Sequence, residues 1–222
     1  MYKALAFKEL RELAGIAALG LAAYGFVLAF CTGMVYFSPL SAGWDPSYSK
    51  VPFVEGSFRY WCVGLAAGLS VSLGVWQSAR EEARGTWLLL LHRPLSREKL
   101  TGVKLLVGLA TYAVCAGLPT LAFACWATIP GTHASPFEWS MTVGTWEVLF
   151  GLTALYLAAF LSGLRPGHWF GTRLLPLAAA AVLVTLIELL PGPPVAVRLA
   201  VLVLLDAALV SSILFVSRTR DY

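Results

Sequence analysis

Three carboxylates that could do chemistry lie inside long apolar runs of the chain: Glu147, Glu188 and Asp206. An ionisable side chain within an apolar helix is costly, and those that occur commonly pair with another charge or line a path for a substrate. Glu188 is separated from Arg198 by a short turn-forming connection, so the sequence predicts an ion pair between them. Glu147 and Asp206 are candidates for a translocation path, although a hydrogen-bonded packing role suits Asp206 equally well.

The residue types required for catalysis or metal binding do not come together. His92, His133 and His168 lie in or beside loops at both ends of the apolar runs, so no Ser/His/Asp or Glu/His arrangement results. The four cysteines lie inside apolar runs without histidine at ligand spacing. A nucleotide-binding loop of the form G-x-x-x-x-G-K-S/T is absent from the sequence. We therefore expect that the chain is not an enzyme. We also expect that it forms no disulfide bond and binds no metal or cofactor itself.

The composition indicates that the bilayer, and not water, surrounds the elements that position these residues. Hydrophobic residues make up 59% of the 222 and charged residues 13%, and the mean hydropathy is +0.76. Six apolar runs are long enough to cross a membrane as helices, and they lack the alternation of barrel strands. The predicted fold is an all-α integral membrane protein with a single domain, residues 1–222. Its predicted spans are Ala14–Phe37, Phe58–Ala79, Val103–Ile129, Thr142–Leu164, Leu174–Leu190 and Leu199–Val216.

The basic residues predict the orientation of these spans. If alternate loops face opposite sides, 13 of the 16 lysines and arginines fall on one side, leaving Lys50, Arg59 and Arg198 on the other. Lysine and arginine are retained in short cytoplasmic loops. Both termini are therefore expected in the cytoplasm, and the net charge of +4 is explained by topology without a nucleic-acid partner.

The first 13 residues, MYKALAFKELREL, mix leucines with the charged residues Lys8, Glu9, Arg11 and Glu12. A helix with such a mixed face suits the headgroup region of a bilayer. We predict an interfacial helix here, with a plain solvated start to the first span as the alternative.

Small residues recur four apart in two of the predicted spans, a spacing that lets helices approach closely. They are Gly64, Gly68 and Ser72 in the second span and Ala154, Ala158 and Ser162 in the fourth. Ordinary packing within one bundle is the favoured interpretation, and a dimer seam is the alternative.

The segment Arg80–Lys104 concentrates charge between the second and third spans. The second span is expected to continue as a helix until Gly85 weakens it. Thr86–His92, TWLLLLH, is apolar but too short to cross a bilayer, and Pro94 ends any helix it forms. Ser96 is a good N-cap for the next helix. The pattern indicates a short helix between two charged elbows on the cytoplasmic face, where it could bind a partner.

The residues of this segment resemble the first cytoplasmic loop of type-2 permease subunits of ATP-binding cassette (ABC) exporters. That loop reads approximately E-x-x-x-G-T-x-x-x-L-L-x-x-P-x-S-R, followed by a lysine as the next span begins. The matching stretches here are Glu81 or Glu82, Gly85-Thr86, the leucine run, Arg93-Pro94-Leu95-Ser96-Arg97 and Lys104. The stretch Lys8-Glu9-Leu10-Arg11-Glu12 is similar to the interfacial helix that opens such subunits.

The resemblance implies a coupling helix that docks into a groove of a separate ATPase subunit and transmits its closure to the spans. The residues implied in that contact are Glu81, Glu82, Arg84, Gly85, Thr86, Leu89, Leu90, Arg93, Pro94, Ser96, Arg97 and Lys104. ATP and Mg²⁺ would bind to the ATPase. A second permease copy or a related permease is also implied, in a bacterial cytoplasmic (inner) membrane.

Two other classes of function compete with the exporter. A membrane anchor or assembly subunit could hold a cytosolic partner through residues 80–104 without transporting anything. A secondary transporter independent of an ATPase would need more polar residues at mid-membrane than Asp206 alone.

Overall fold

The computed structural model describes residues 2–35, 51–54, 57–84, 96–133, 136–165, 172–189 and 194–219, with side chains for all of these except 81–84. Every regular element in these ranges is a helix, as the composition predicts. The helices are α1 (Tyr2–Cys31), α2 (Ser57–Arg84), α3 (Arg97–Ala127), a 3-10 helix (Trp139–Thr142), α4 (Val143–Gly151), α5 (Thr153–Leu164), α6 (Leu175–Leu189) and α7 (Val195–Thr219).

Five stretches of helix are long and apolar enough to cross a membrane, which indicates a multi-pass membrane protein. They are Tyr2–Cys31, Ser57–Arg80, Arg97–Ala127, Trp139–Leu164 and Val195–Thr219. The fifth predicted span corresponds to α6, which has only 15 residues. A helix of that length rises about 22 Å, less than the roughly 30 Å of a hydrocarbon core. The count of six spans therefore stays a prediction.

The first helix differs from the sequence expectation, because no separate interfacial helix precedes the first span. Residues 2–31 form one continuous helix, about 45 Å long, since this stretch has strong helix formers and no proline. Leu5, Glu9 and Leu13 are spaced four apart and are all buried. The mixed pattern of charge and leucine thus reflects a packing stripe, in which one member is a carboxylate.

The helix α5 lies at the centre of the bundle, and all its residues from Ala154 to Leu164 are buried. It packs against α2, α6 and α7. The approach of α2 to α5 is close because Gly74 has no side chain: a Cβ there would lie 2.5 Å from the Tyr156 carbonyl oxygen and 2.8 Å from Ala159 Cβ. Gly163 of α5 meets α2 in the same way, since a Cβ there would overlap Ser78 Oγ.

The two stripes of small residues have different surroundings. Ala154, Ala158 and Ser162 are buried within the bundle, as expected. Gly64, Gly68 and Ser72 are exposed, and a Cβ on either glycine would meet no described atom within 4 Å. Among the described residues, the Gly64 stripe therefore does not take part in packing within the bundle, which contradicts the favoured interpretation for it. Gly74, outside the predicted motif, makes the close contact instead, and the dimer seam stays a prediction.

The contrast between these glycines predicts opposite results for one chemical change. Gly74→Ala should destabilise the fold by about 1–3 kcal/mol, because the added methyl overlaps the backbone of α5. Gly68→Ala is the matched control and should be neutral or slightly stabilising, since alanine favours a helix and the methyl has space. The measurement is the thermal unfolding midpoint of each purified variant in detergent. Equal midpoints for the two variants would contradict the α2–α5 contact.

Candidate functional site

Much of the predicted coupling loop lies outside the described residues. This applies to residues 85–95, and the side chains of Glu81, Glu82 and Arg84 lie outside them too, although α2 includes their backbone. Ser96 precedes α3 at the predicted N-cap position, in extended geometry (φ −63°, ψ 141°), but its side chain forms no capping hydrogen bond. Ser96 and Arg97 are both exposed. The described part of the site therefore consists of the helices on either side of the loop.

Those flanking helices are connected by Gln77 of α2 and Lys104 of α3. Each lies seven residues from the helix end that borders the loop, about 10 Å along the helix axis. Gln77 Nε2 donates a hydrogen bond to the Lys104 carbonyl oxygen at 2.9 Å. The two helices that border the loop are thus joined inside the bundle.

The strongest charge contact at this end is a buried ion pair between α1 and α3. Lys104 Nζ lies 3.1 Å from Glu9 Oε1, and both side chains are only 1% exposed. Gln77 Nε2 lies 3.3 Å from Glu9 Oε2, so that both carboxylate oxygens have a partner. Burial of a charge is tolerated when the charge is paired and hydrogen-bonded in this way.

The same contacts reach the central helix through Tyr156, whose hydroxyl donates to Gln77 Oε1 at 2.7 Å. Gly108 of α3 makes room for this bond, because a Cβ there would lie 2.6 Å from Gln77 Oε1 and would overlap the Tyr156 hydroxyl. We call Glu9, Gln77, Lys104 and Tyr156 the Glu9 network. It joins α1, α2, α3 and α5 through fully buried side chains.

The network brings together two residues that the sequence had assigned to separate surfaces. Glu9 was predicted on an interfacial helix and Lys104 in a partner-binding loop, yet both are enclosed by the bundle. Any contact of Lys104 with a partner stays a prediction. Gln77 was missed, although an amide inside an apolar span is itself a signal of a polar contact. Tyr156 offered no such signal, because tyrosines are ordinary in spans.

The remaining charges of the predicted interfacial helix lie closer to the surface. Arg11 is exposed. Lys8 Nζ lies 3.9 Å from Glu12 Oε1, one turn away, and 3.8 Å from Glu9 Oε1. Arg80 Nη1 donates weakly to the Glu12 carbonyl oxygen at 3.4 Å. These contacts extend the link between α1 and α2 towards the loop.

Two further arginines secure the same end of the bundle. Arg218 Nε lies 2.7 Å from Glu98 Oε1 in an exposed pair between α7 and α3. Arg173 is buried and donates to the carbonyl oxygens of Ser162 and Gly163, at 3.1 and 2.7 Å, in the last turn of α5. A cation at that position also complements the helix dipole.

At the opposite end, Arg198 pairs with Glu147 and not with Glu188, so that the predicted pair is wrong. Arg198 Nε lies 2.8 Å from Glu147 Oε1, and Nη2 donates to Oε2 at 2.9 Å. This two-pronged geometry forms because α4 packs against α7. Glu188 Oε1 is buried without a hydrogen-bond donor among the described residues. The burial of Glu147 is thus explained by the ion pair, and its role in a translocation path stays a prediction.

Asp206 lies halfway along α7, where the Thr153 hydroxyl of α5 is 2.7 Å from its Oδ2. This contact is the hydrogen-bonded packing that the sequence allowed. Among the described residues, no three His, Cys, Asp or Glu side chains are arranged to hold a metal ion, and the four cysteines are free thiols.

Comparison with known proteins yields no relative of this chain. No family model, no curated protein and no solved structure matches it. The resemblance to type-2 ABC permeases therefore stands on the loop and N-terminal residues quoted above.

The Glu9 network predicts a strong coupling between its two charges. Glu9→Gln or Lys104→Met alone should cost about 3–5 kcal/mol, because each breaks a buried ion pair and removes the opposite charge that lies 3.1 Å from the remaining one. The double variant should recover much of that loss. Lys99→Met, which removes an exposed lysine from the same helix, is the control and should be nearly neutral. Thermal unfolding of the four variants measures the coupling, and a loss for Lys104→Met as small as that for Lys99→Met would contradict it.

A second cycle tests the partner of Arg198. Arg198→Ala and Glu147→Gln should be non-additive by about 0.5–3 kcal/mol, as residues in direct contact are. Arg198→Ala and Glu188→Gln should show a smaller coupling, because no hydrogen bond joins them. Unfolding midpoints of the single and double variants decide between the two carboxylates. A larger coupling to Glu188 would restore the pair predicted from sequence.

Proposed function

We propose that the chain is the transmembrane permease subunit of an ATP-driven ABC-type exporter. A separate ATPase subunit hydrolyses ATP, and this chain uses the resulting movement to carry a substrate across the membrane. The proposal is supported by the loop resemblance and, above all, by the position of the Glu9 network. That network lies just inside both ends of the predicted coupling loop and extends to the central helix.

The network offers a physical route from the loop to the spans. A partner that pulls on residues 85–97 displaces the end of α2 and the start of α3. Gln77 is hydrogen-bonded to both Lys104 and Glu9, and Lys104 forms an ion pair with Glu9, so these helix ends move together with α1. Since a buried ion pair is costly to separate, the force acts on the whole bundle and not on one strained helix end. Packed helices respond to such a force by shifting between discrete arrangements.

The proposed topology has six spans with both termini in the cytoplasm of a bacterium. It is supported by contacts among residues that the charge pattern assigns to one side: Arg80 with Glu12 and Arg218 with Glu98. The pair between Arg198 and Glu147 lies at the other end. The short helix α6 would cross with its flanking residues, or with local thinning of the bilayer. The functional unit would hold two permease subunits and their ATPases.

The test is to isolate tagged protein from detergent-solubilised membranes of its native host, identify bound partners by mass spectrometry and assay them for ATP hydrolysis. We expect a stoichiometric ATPase. Replacement of residues 93–97 (RPLSR) by a Gly/Ser linker should abolish its association. The matched control replaces residues 128–132 (TIPGT), the five residues that directly follow the opposite end of α3. This variant should retain the ATPase.

Two results would overturn the proposal. Unchanged association in the 93–97 variant would show that the loop does not dock the ATPase. A stoichiometric partner without a nucleotide site would instead make the chain a membrane anchor or assembly subunit, which uses the loop without transport. Expression level and elution as a single species in gel filtration show that each variant is folded.

A further inference from the structure

A groove of about 480 Å³ lies halfway along the bundle, between α3 and α4. Leu109, Ala113 and Gly117 form one wall, and Trp146 and Phe150 form the other. Its volume falls within the range of about 300–1,000 Å³ typical of pockets for small organic molecules. Ala113 and Phe150 are exposed, so the groove is open at the surface of the bundle. An apolar molecule dissolved in the membrane could enter it directly.

Asp206 is the only carboxylic acid among the residues that line the groove, and none of the others is a basic residue. The one hydroxyl near its Oδ2 belongs to Thr153, which is also 2.6 Å from the Phe150 carbonyl oxygen. A hydroxyl has a single proton and cannot donate fully to both acceptors. Oδ1 is buried, with no hydrogen-bond donor among the described residues. The carboxyl group therefore receives at most one shared hydrogen bond and no charge partner there.

The hydroxyl group that lines the groove besides that of Thr153 is already engaged. The Tyr112 hydroxyl donates to the Leu149 carbonyl oxygen at 2.9 Å, across the space between α3 and α4. By contrast, Glu147 has a two-pronged guanidinium partner and Glu9 has lysine and amide partners. Asp206 thus differs from both of these buried carboxylates, because no cation among the described residues pairs with it.

We propose that the groove is a binding site for a lipophilic organic cation, with its charged centre near Asp206 and its apolar body along α3 and α4. The carboxylate supplies the opposite charge in a site of low dielectric. The aromatic faces of Trp146 and Phe150 add attraction for a cation. The site belongs to this chain alone and does not depend on the proposed ATPase. The site rests on the proposed function in one respect: for an exporter, it identifies lipophilic organic cations as the class of substrate.

The test uses radiolabelled tetraphenylphosphonium, an aryl cation with a permanent charge, and the purified full chain immobilised in detergent. Saturable binding is expected, with weaker competition from the neutral analogue triphenylphosphine oxide. Asp206→Asn keeps the shape of the side chain but mimics a neutral acid, and it should weaken binding about tenfold or more. Glu188→Gln removes another carboxylate that does not line the groove and should bind as the unmodified chain does.

A second variant covers the case in which Asp206→Asn fails to fold. Ala113→Phe fills the groove from an exposed position while retaining the carboxylate, and it should also abolish binding. Equal binding by folded Asp206→Asn would overturn the proposal, because binding would then not depend on the negative charge of the Asp206 carboxylate. Non-saturable uptake, the same in all variants, would reveal partition into detergent and would overturn it as well. None of these results depends on whether an ATPase associates.

Discussion

The structure depends most on a single buried charge pair, Glu9 with Lys104. Two unlike charges can be enclosed in an apolar bundle only if they meet with good geometry, and here they lie 3.1 Å apart with both side chains almost fully buried. Because one partner is on α1 and the other on α3, the pair determines how these helices are rotated towards each other. Gln77 donates to the other oxygen of Glu9 and accepts from Tyr156, which connects α2 and α5 to the pair. The polar contact thus fixes the relative register of four helices.

Close packing makes this arrangement possible. Tyr156 reaches Gln77 because Gly108 leaves the space that a side chain would occupy, and α5 can lie against α2 because Gly74 and Gly163 do the same at two other levels. In a membrane, helices gain little from hiding apolar surface, since the lipid is equally apolar. Association therefore relies on close van der Waals contact and on interhelical hydrogen bonds. The central part of this bundle has both kinds of contact, and the close approach at Gly108 lies beside the hydrogen bond between Tyr156 and Gln77.

The charges of the bundle are distributed unequally between its two ends and its middle. Near the loop, several ion pairs and hydrogen bonds link α1, α2, α3 and α7. At the other end, Arg198 and Glu147 join α7 to α4. Between these ends, Asp206 has only a shared hydroxyl among the described residues. The cation site that we propose lies between these two ends, where an open groove contains one poorly satisfied acid.

The sequence by itself indicated a membrane environment, the helical fold and the approximate limits of the long helices after the first, because a bilayer requires continuous apolar helices whatever their neighbours. It also indicated Glu147, Glu188 and Asp206 as unusual acids, but not Glu9, which the structure buries. Only the tertiary structure decided the partners: Arg198 lies against Glu147 rather than Glu188, and Gly74 makes the close contact that the Gly64 stripe was predicted to make. The physical reason is that composition and periodicity describe one helix at a time. The rotation of each helix about its axis, and hence which polar groups meet, follows from how all the helices pack together.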